Sequence, residues 1–242
     1  MGMPGRVDRA RPPLIRWRDY GWDGRRALFV FGHVGLTWGG SLLLIEAGRR
    51  LPLARRLPLA DAAISVDYRL VIAGSMLPDV IDKPLGVFVL GDEVSSGRAF
   101  AHSLAFLSAV ALAALLRRGV ARRLLAPVAL GAAAHLVFDR MWREPHTLLW
   151  PLLGWRIERV DVSDWWRQML EQLFGDPYTY ISELAGAAVV AALLAFLVRR
   201  GRLRDFISSG RMGPTVAGGT VPGLARQERP RELQGRQRPA ER

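Results

Sequence analysis

Six side chains in this sequence have the chemistry to hold a cation: His33, Asp79, Asp82, His102, His135 and Asp139. All lie within or at the ends of runs that are otherwise apolar. An aspartate at the centre of a bilayer costs roughly 2.5–3.5 kcal/mol on insertion scales, so an acid placed there marks a functional site by default. Asp79 and Asp82 are three residues apart in the stretch Gly74–Pro84, and one helical turn would point both the same way. His135 and Asp139 are four apart, neighbours on one helical face. The set supplies three imidazoles and three carboxylates. That is enough for one metal ion with an open position, or for two ions sharing a carboxylate. A bound ion would offset the cost of burying the acids. Arg98, four residues before His102, adds a guanidinium able to bind an anionic group such as phosphate.

Each residue also has a plainer use. His33 alone could hydrogen-bond a neighbouring helix, Asp82 could pair with Lys83, and Asp139 with Arg140 or Arg143. His146, after Pro145 in a loop, reads as structural or as part of a lid. Composition narrows the choice of ion. The chain has no cysteine, which excludes disulfides, thiolate nucleophiles and cysteine metal sites. Imidazole and carboxylate suit Zn, Mn, Fe or Ni better than soft ions, with Zn or Mn first. A formal net charge of +12 invites a nucleic-acid reading. The arginines, however, crowd into the termini and short loops, where membrane proteins carry them for orientation and headgroup contact. Membrane lipid is the expected partner, and no specific nucleic acid.

The elements that must position these groups read as transmembrane helices. Half of the chain is apolar, in runs approaching the length that crosses about 30 Å of hydrocarbon. The expected fold is all-α: a polytopic transmembrane helix bundle of about five spans with a broken second span, an interfacial loop helix and disordered polar tails. Residues 1–26 form a basic, aromatic-bearing N-terminal segment, 27–200 the transmembrane domain and 201–242 a disordered basic tail. Span 1 covers Ala27 to about Gly48. Span 2 starts within Asp61–Arg69 and runs to Leu77, after which Pro78 and Pro84 bracket the acidic pair in irregular backbone. Leu85–Leu90 is apolar but too short to cross alone. Ala99–Leu116 is span 3, and Leu124–Phe138, extended back to Val120, is span 4. Leu184–Val198 is span 5, with Glu183 at its start. The tryptophan-rich segment Arg140–Tyr180 is expected to form an interfacial lid with an amphipathic helix near Val162–Phe174. Short connections make successive spans antiparallel neighbours. The start of span 1, end of span 2, start of span 3 and end of span 4 then share one face, which brings the six candidate ligands together.

Five pieces of this stretch form an ordered set. They are His33-Val34-Gly35, Leu77-Pro78-Asp79-Val80-Ile81-Asp82, Arg98-Ala99-Phe100-Ala101-His102-Ser103, His135-Leu136-Val137-Phe138-Asp139 and Leu148-Leu149-Trp150-Pro151. In these pieces and their order, over about Leu28–Trp155, the sequence resembles the YdjM-like family of membrane-bound, metal-dependent hydrolases, also described as LexA-binding, inner-membrane-associated hydrolases. Two departures stand out. The family's Pro-Asp-x-Asp is stretched here to Pro78-Asp79-Val80-Ile81-Asp82, and its His-Arg-Gly before Thr-His-Ser reads Gly97-Arg98-Ala99 before Ala101-His102-Ser103. One potential ligand or base is therefore absent. The resemblance implies a multi-pass protein of the inner membrane that uses a divalent metal for hydrolysis.

Hydrolysis through a metal-activated water is accordingly the leading expectation, with Asp82 as general base if it is not a ligand and Arg98 as the group that meets an anion. A site at the membrane edge beneath a tryptophan-rich loop suits a phosphoester or lipid-linked substrate. Two non-enzymatic readings stand beside it. The cluster could line an ion or proton pathway, or serve as a structural metal site in an interaction protein. The short-loop arginines place the polar site on the non-cytoplasmic face by the positive-inside rule.

Overall fold

Residues 28–50, 66–85, 98–155 and 165–212 are described by the computed structural model, and every regular element among them is helical. The N-terminal segment 1–26, the apolar piece after Leu85, the polar loop 91–97 and the tail 213–242 lie outside the described residues, as do 162–164 of the expected loop helix.

A π-helical turn, Gly32–Leu36, leads directly into α1, Thr37–Arg50. Then follow α2 (Tyr68–Pro84), α3 (Leu104–Leu116) and α4 (Gly119–Phe138). A 3₁₀ turn at Met141–Arg143 and the short α5 (Pro145–Leu148) precede α6 (Trp165–Gly175), α7 (Pro177–Arg199) and α8 (Leu203–Ser209). Three helices start on side-chain caps that satisfy the first-turn N–H groups. Asp67 accepts from Arg69 N at 3.0 Å, Ser103 from Phe106 N at 3.1 Å and Asp176 from Thr179 N at 3.1 Å. Pro177 follows Asp176 at the position where a missing N–H costs nothing.

Two described helices, α4 with 20 residues and α7 with 23, are long and apolar enough to cross a bilayer, while α3 has 13 residues. The second segment is not broken. α2 runs unbroken through Pro78 to Pro84, so the acidic pair sits in regular helix. A proline removes one backbone hydrogen bond, here the one to the Gly74 carbonyl, and tertiary packing holds the rest of the turn. The last long helix also begins earlier than its apolar run, at Pro177, which leaves Glu183 nearly two turns inside it. Order extends past residue 200 as well, through α8.

Two close helix crossings set the architecture. On α2 and α4, a Cβ added at Gly131 would meet the backbone of Val71, Gly74 and Ser75, and one added at Gly74 would meet the backbone of Val128. On the first helix and α7, a Cβ at Gly35 would meet the Gly186 backbone, and one at Gly186 the backbone of Phe31 and Gly32. Only glycine allows such approach. At the far end from the acidic pair, Trp38, Tyr68, Val71, Leu197 and Phe206 form the apolar core. Phe206 of α8 stacks on Trp38 with centroids 5.0 Å apart, and Tyr68 N donates to Gly210 O at 2.9 Å.

Candidate metal centre

The α2–α4 crossing carries the chemistry. One turn beyond Gly131, His135 reaches back to α2, where its Nδ1 meets the Ser75 carbonyl at 2.6 Å. A carbonyl only accepts, so Nδ1 carries the proton and Nε2 presents a lone pair. His102 is fixed in the same sense by a different acceptor. Its Nδ1 lies 2.7 Å from Asp82 Oδ2, which leaves Nε2 as the open nitrogen.

Asp82 does more than orient that ring. Its carboxylate accepts from Ala99 N at 2.7 Å, Phe100 N at 3.2 Å, Ala101 N at 3.0 Å and His102 N at 3.2 Å. The tight turn that delivers His102 is thus wrapped around Asp82, which is completely buried. Ser103 then caps α3. Both oxygens of Asp82 are thus engaged in fixing the His102 turn and ring.

The two open nitrogens meet. His102 Nε2 and His135 Nε2 stand 3.1 Å apart, their rings inclined at 67°. Asp79 Oδ1 lies 3.5 Å from the first and 3.9 Å from the second. Asp139 Oδ2 lies 3.9 Å and 3.6 Å from the same two atoms. One carboxylate oxygen of each aspartate therefore lies within 4 Å of both open nitrogens. Asp79 is held through the oxygen turned away from the imidazoles, Asp139 through the oxygen that faces them. Lys83 Nζ is 2.7 Å from Asp79 Oδ2, and Arg98 Nη2 is 3.0 Å from Asp139 Oδ2. Leu28 N donates to Asp139 Oδ1 at 3.1 Å.

His33 lies beside this group. Its ring stacks on His135 with centroids 4.0 Å apart and planes within 15°. Its Nε2 is 3.1 Å from Asp139 Oδ1, yet off the line of a hydrogen bond, so both ring nitrogens are buried without a hydrogen-bond partner among the described residues. Two lone pairs face to face and a buried imidazole without a hydrogen bond are groups that a cation or a proton would satisfy. The spacing suits an ion: two imidazole nitrogens each about 2.0–2.1 Å from one zinc would stand roughly 2.8–3.4 Å apart. Two overlapping groups, His33–His135–Asp139 and Asp79–His102–His135, meet the distance requirement for metal ligands.

All six expected ligands are thus within one buried cluster, and Arg98 joins it as a partner of Asp139. His146 is exposed on α5, outside the cluster. Three contributors were not singled out from the sequence for these roles. The Ser75 carbonyl is backbone and carries no signal. Glu144 pairs with Arg98 at 2.5 Å, and its position five residues after Asp139 was the only hint. Glu183 accepts from Phe29 N at 2.7 Å, Phe31 N at 3.0 Å and Gly32 N at 2.8 Å, capping the helix that bears His33 from across the bundle. An acid inside an apolar run was the available signal.

A model of the YdjM inner membrane protein family matches residues 33–206, which include every residue of the centre. The chain belongs to the YdjM inner membrane protein family. No curated protein and no solved structure gives a match. In this inner membrane protein family, α4 and α7 are the described helices long and apolar enough to cross a bilayer, and the cluster sits where α4 ends.

Proposed function

We propose that this YdjM-family protein is a membrane-bound, metal-dependent hydrolase acting at the membrane edge on a phosphoester or lipid-linked substrate. The observation that carries the reading is the pair of imidazole nitrogens 3.1 Å apart, each with its other nitrogen already committed. Asp79 and Asp139 complete a donor set of two nitrogens and two oxygens, which fits Zn or Mn. When bound, such an ion supplies Lewis acidity and lowers the pKa of water.

The chain's own groups do the positioning. Asp82 and the Ser75 carbonyl hold the two imidazoles in the tautomer that leaves Nε2 open. Lys83 holds Asp79, and Arg98, itself braced by Glu144, holds Asp139. Among the described residues, Arg98 is the guanidinium that reaches the centre, through Asp139, and the natural partner for an anionic substrate oxygen. Trp142, Trp155 and Trp166 are mostly exposed, as are Leu152 and Phe174. An exposed apolar and indole-rich surface following the last ligand suits the interfacial depth at which a lipid-linked substrate presents its headgroup. The arginine pattern of the loops favours a multi-pass arrangement with this face outward from the cytoplasm.

The test is turnover. Purified protein loaded with Zn or Mn is offered phosphoesters and lipid phosphates in mixed micelles, beside His102→Ala. Hydrolysis by the wild type and none by the variant is expected. Absence of turnover on every ester, with the metal in place, overturns the hydrolase reading. One observation favours a second reading. His33, His102 and His135 are fully buried, and closed sites are the habit of structural metals. In that case metal removal lowers the unfolding temperature and no substrate is turned over.

A further inference from the structure

We propose that the centre holds one divalent ion per chain, bound by His102, His135, Asp79 and Asp139, with His33 outside the coordination set. The inference rests on the metal reading above and deepens it, because the same cluster contains two overlapping groups of candidate ligands.

His135 belongs to both groups, and it has only one nitrogen to give. Its Nδ1 is committed to the Ser75 carbonyl at 2.6 Å, so Nε2 serves a single ion. The direction of that lone pair decides which ion. Imidazole nitrogens donate in the plane of the ring. The rings of His102 and His135 cross at 67°, and their Nε2 atoms converge at 3.1 Å. The rings of His33 and His135 are stacked, 4.0 Å apart and within 15° of parallel. Lone pairs lying in two parallel, separated planes do not meet on one ion.

Among the described residues, a second ion next to His33 would therefore have only His33 Nε2 and Asp139 Oδ1. Oδ1 already accepts the Leu28 N–H at 3.1 Å, and the Arg98 guanidinium lies 3.0 Å from the other oxygen of the same carboxylate. Two donors fall short of the three protein ligands that zinc sites use as a minimum. Asp82 cannot make up the number, since its oxygens receive four backbone N–H groups and the His102 ring. His33 then forms a wall of the site, its Nε2 beside Asp139 Oδ1 and its Nδ1 left for a water or a substrate oxygen.

The experiment counts metal in the full chain, purified in detergent without chelators and then reloaded with Zn or Mn. Binding is titrated against a competing chelator for the wild type, His33→Ala, His33→Gln and His102→Ala, with thermal unfolding measured alongside. The wild type is expected to saturate at one ion per chain. Both His33 variants should keep that ion within about threefold of wild-type affinity, while His102→Ala loses more than the roughly 10–100-fold seen for outer-shell changes. Two ions per chain, or loss of the ion in a His33 variant that unfolds like the wild type, overturns the inference and leaves the hydrolase reading standing. No ion in the wild type overturns both. One ion without turnover of any ester sustains the inference and removes the hydrolase.

Discussion

Replacing Asp82 with asparagine tests the construction of the centre most directly. The carboxylate takes hydrogen bonds from Ala99, Phe100, Ala101 and His102 N–H groups and from the His102 ring, at 2.7–3.2 Å. Asparagine has the same shape but offers one carbonyl oxygen, and it turns an NH₂ group towards donors. With the amide oxygen in the place of Oδ2, the Phe100 N–H loses its acceptor, while Ala101 N, which bonds both oxygens, keeps one; a buried N–H left unsatisfied costs about 1–3 kcal/mol. The structural loss is therefore about 1–3 kcal/mol, less whatever the turn recovers by rearranging. The effect on the ion is indirect. Outer-shell partners of ligating histidines typically contribute 10–100-fold in affinity, or about 1.4–2.7 kcal/mol. Asp82→Asn should thus melt lower than the wild type and bind Zn about 10–100-fold more weakly, whereas His102→Ala loses the ion outright. Chelator competition and thermal unfolding in the same detergent give both numbers. If Asp82→Asn melts like the wild type yet loses the ion as completely as His102→Ala, Asp82 is a ligand and the orienting role is wrong.

Further consequences concern the scaffold. Gly131→Ala places a methyl group against the α2 backbone, so overpacking should cost about 1–3 kcal/mol. Gly40→Ala, where nothing lies within 4 Å, should leave the unfolding temperature unchanged or raise it; equal behaviour of the two would refute the close crossing. Glu183→Gln weakens charge-assisted bonds to three N–H groups, at about 1.5–3 kcal/mol for such a group. Faster amide exchange at Phe31 and Gly32 is the expected readout, and unchanged protection there would remove the cap. Phe206→Ala deletes a ring stacked on Trp38 and should destabilise by about 3–5 kcal/mol. A loss below about 1 kcal/mol would mean that α8 is not part of the core.

The cluster was legible because its members are rare residue types in apolar surroundings. Antiparallel alternation then puts the start of the first helix, the end of α2, the turn before α3 and the end of α4 side by side. What each member does was not legible. Asp79 and Asp82 look equivalent as two acids a turn apart, and only the fold of residues 99–102 separates them. That turn wraps one carboxylate and leaves the other facing the imidazoles. Pro78 was a misleading signal for a break, since one lost hydrogen bond is small beside the packing of Gly74 against Gly131. For α8 the pattern was hidden by flanking arginines and glycines, and Phe206 became a core residue only through its distant partner Trp38.

Charge ties the centre together in a way no single contact does. Asp79, Asp82, Asp139 and Glu144 are four carboxylates, set against the two cations Lys83 and Arg98. With the imidazoles neutral, as their hydrogen bonds to Ser75 and Asp82 allow, two negative charges remain. In a surrounding of low dielectric that excess is expensive, and a single divalent cation among the four open donors cancels it. A second divalent cation would reverse the imbalance to the same extent. The count of charges and the directions of the lone pairs both lead to one ion. Arg98→Gln separates them from coincidence. Removing a buried positive charge beside Asp139 should strengthen binding of the ion while lowering the stability of the metal-free protein. Weaker binding in that variant, with the fold intact, would mean that Arg98 orients Asp139 more than it opposes the ion.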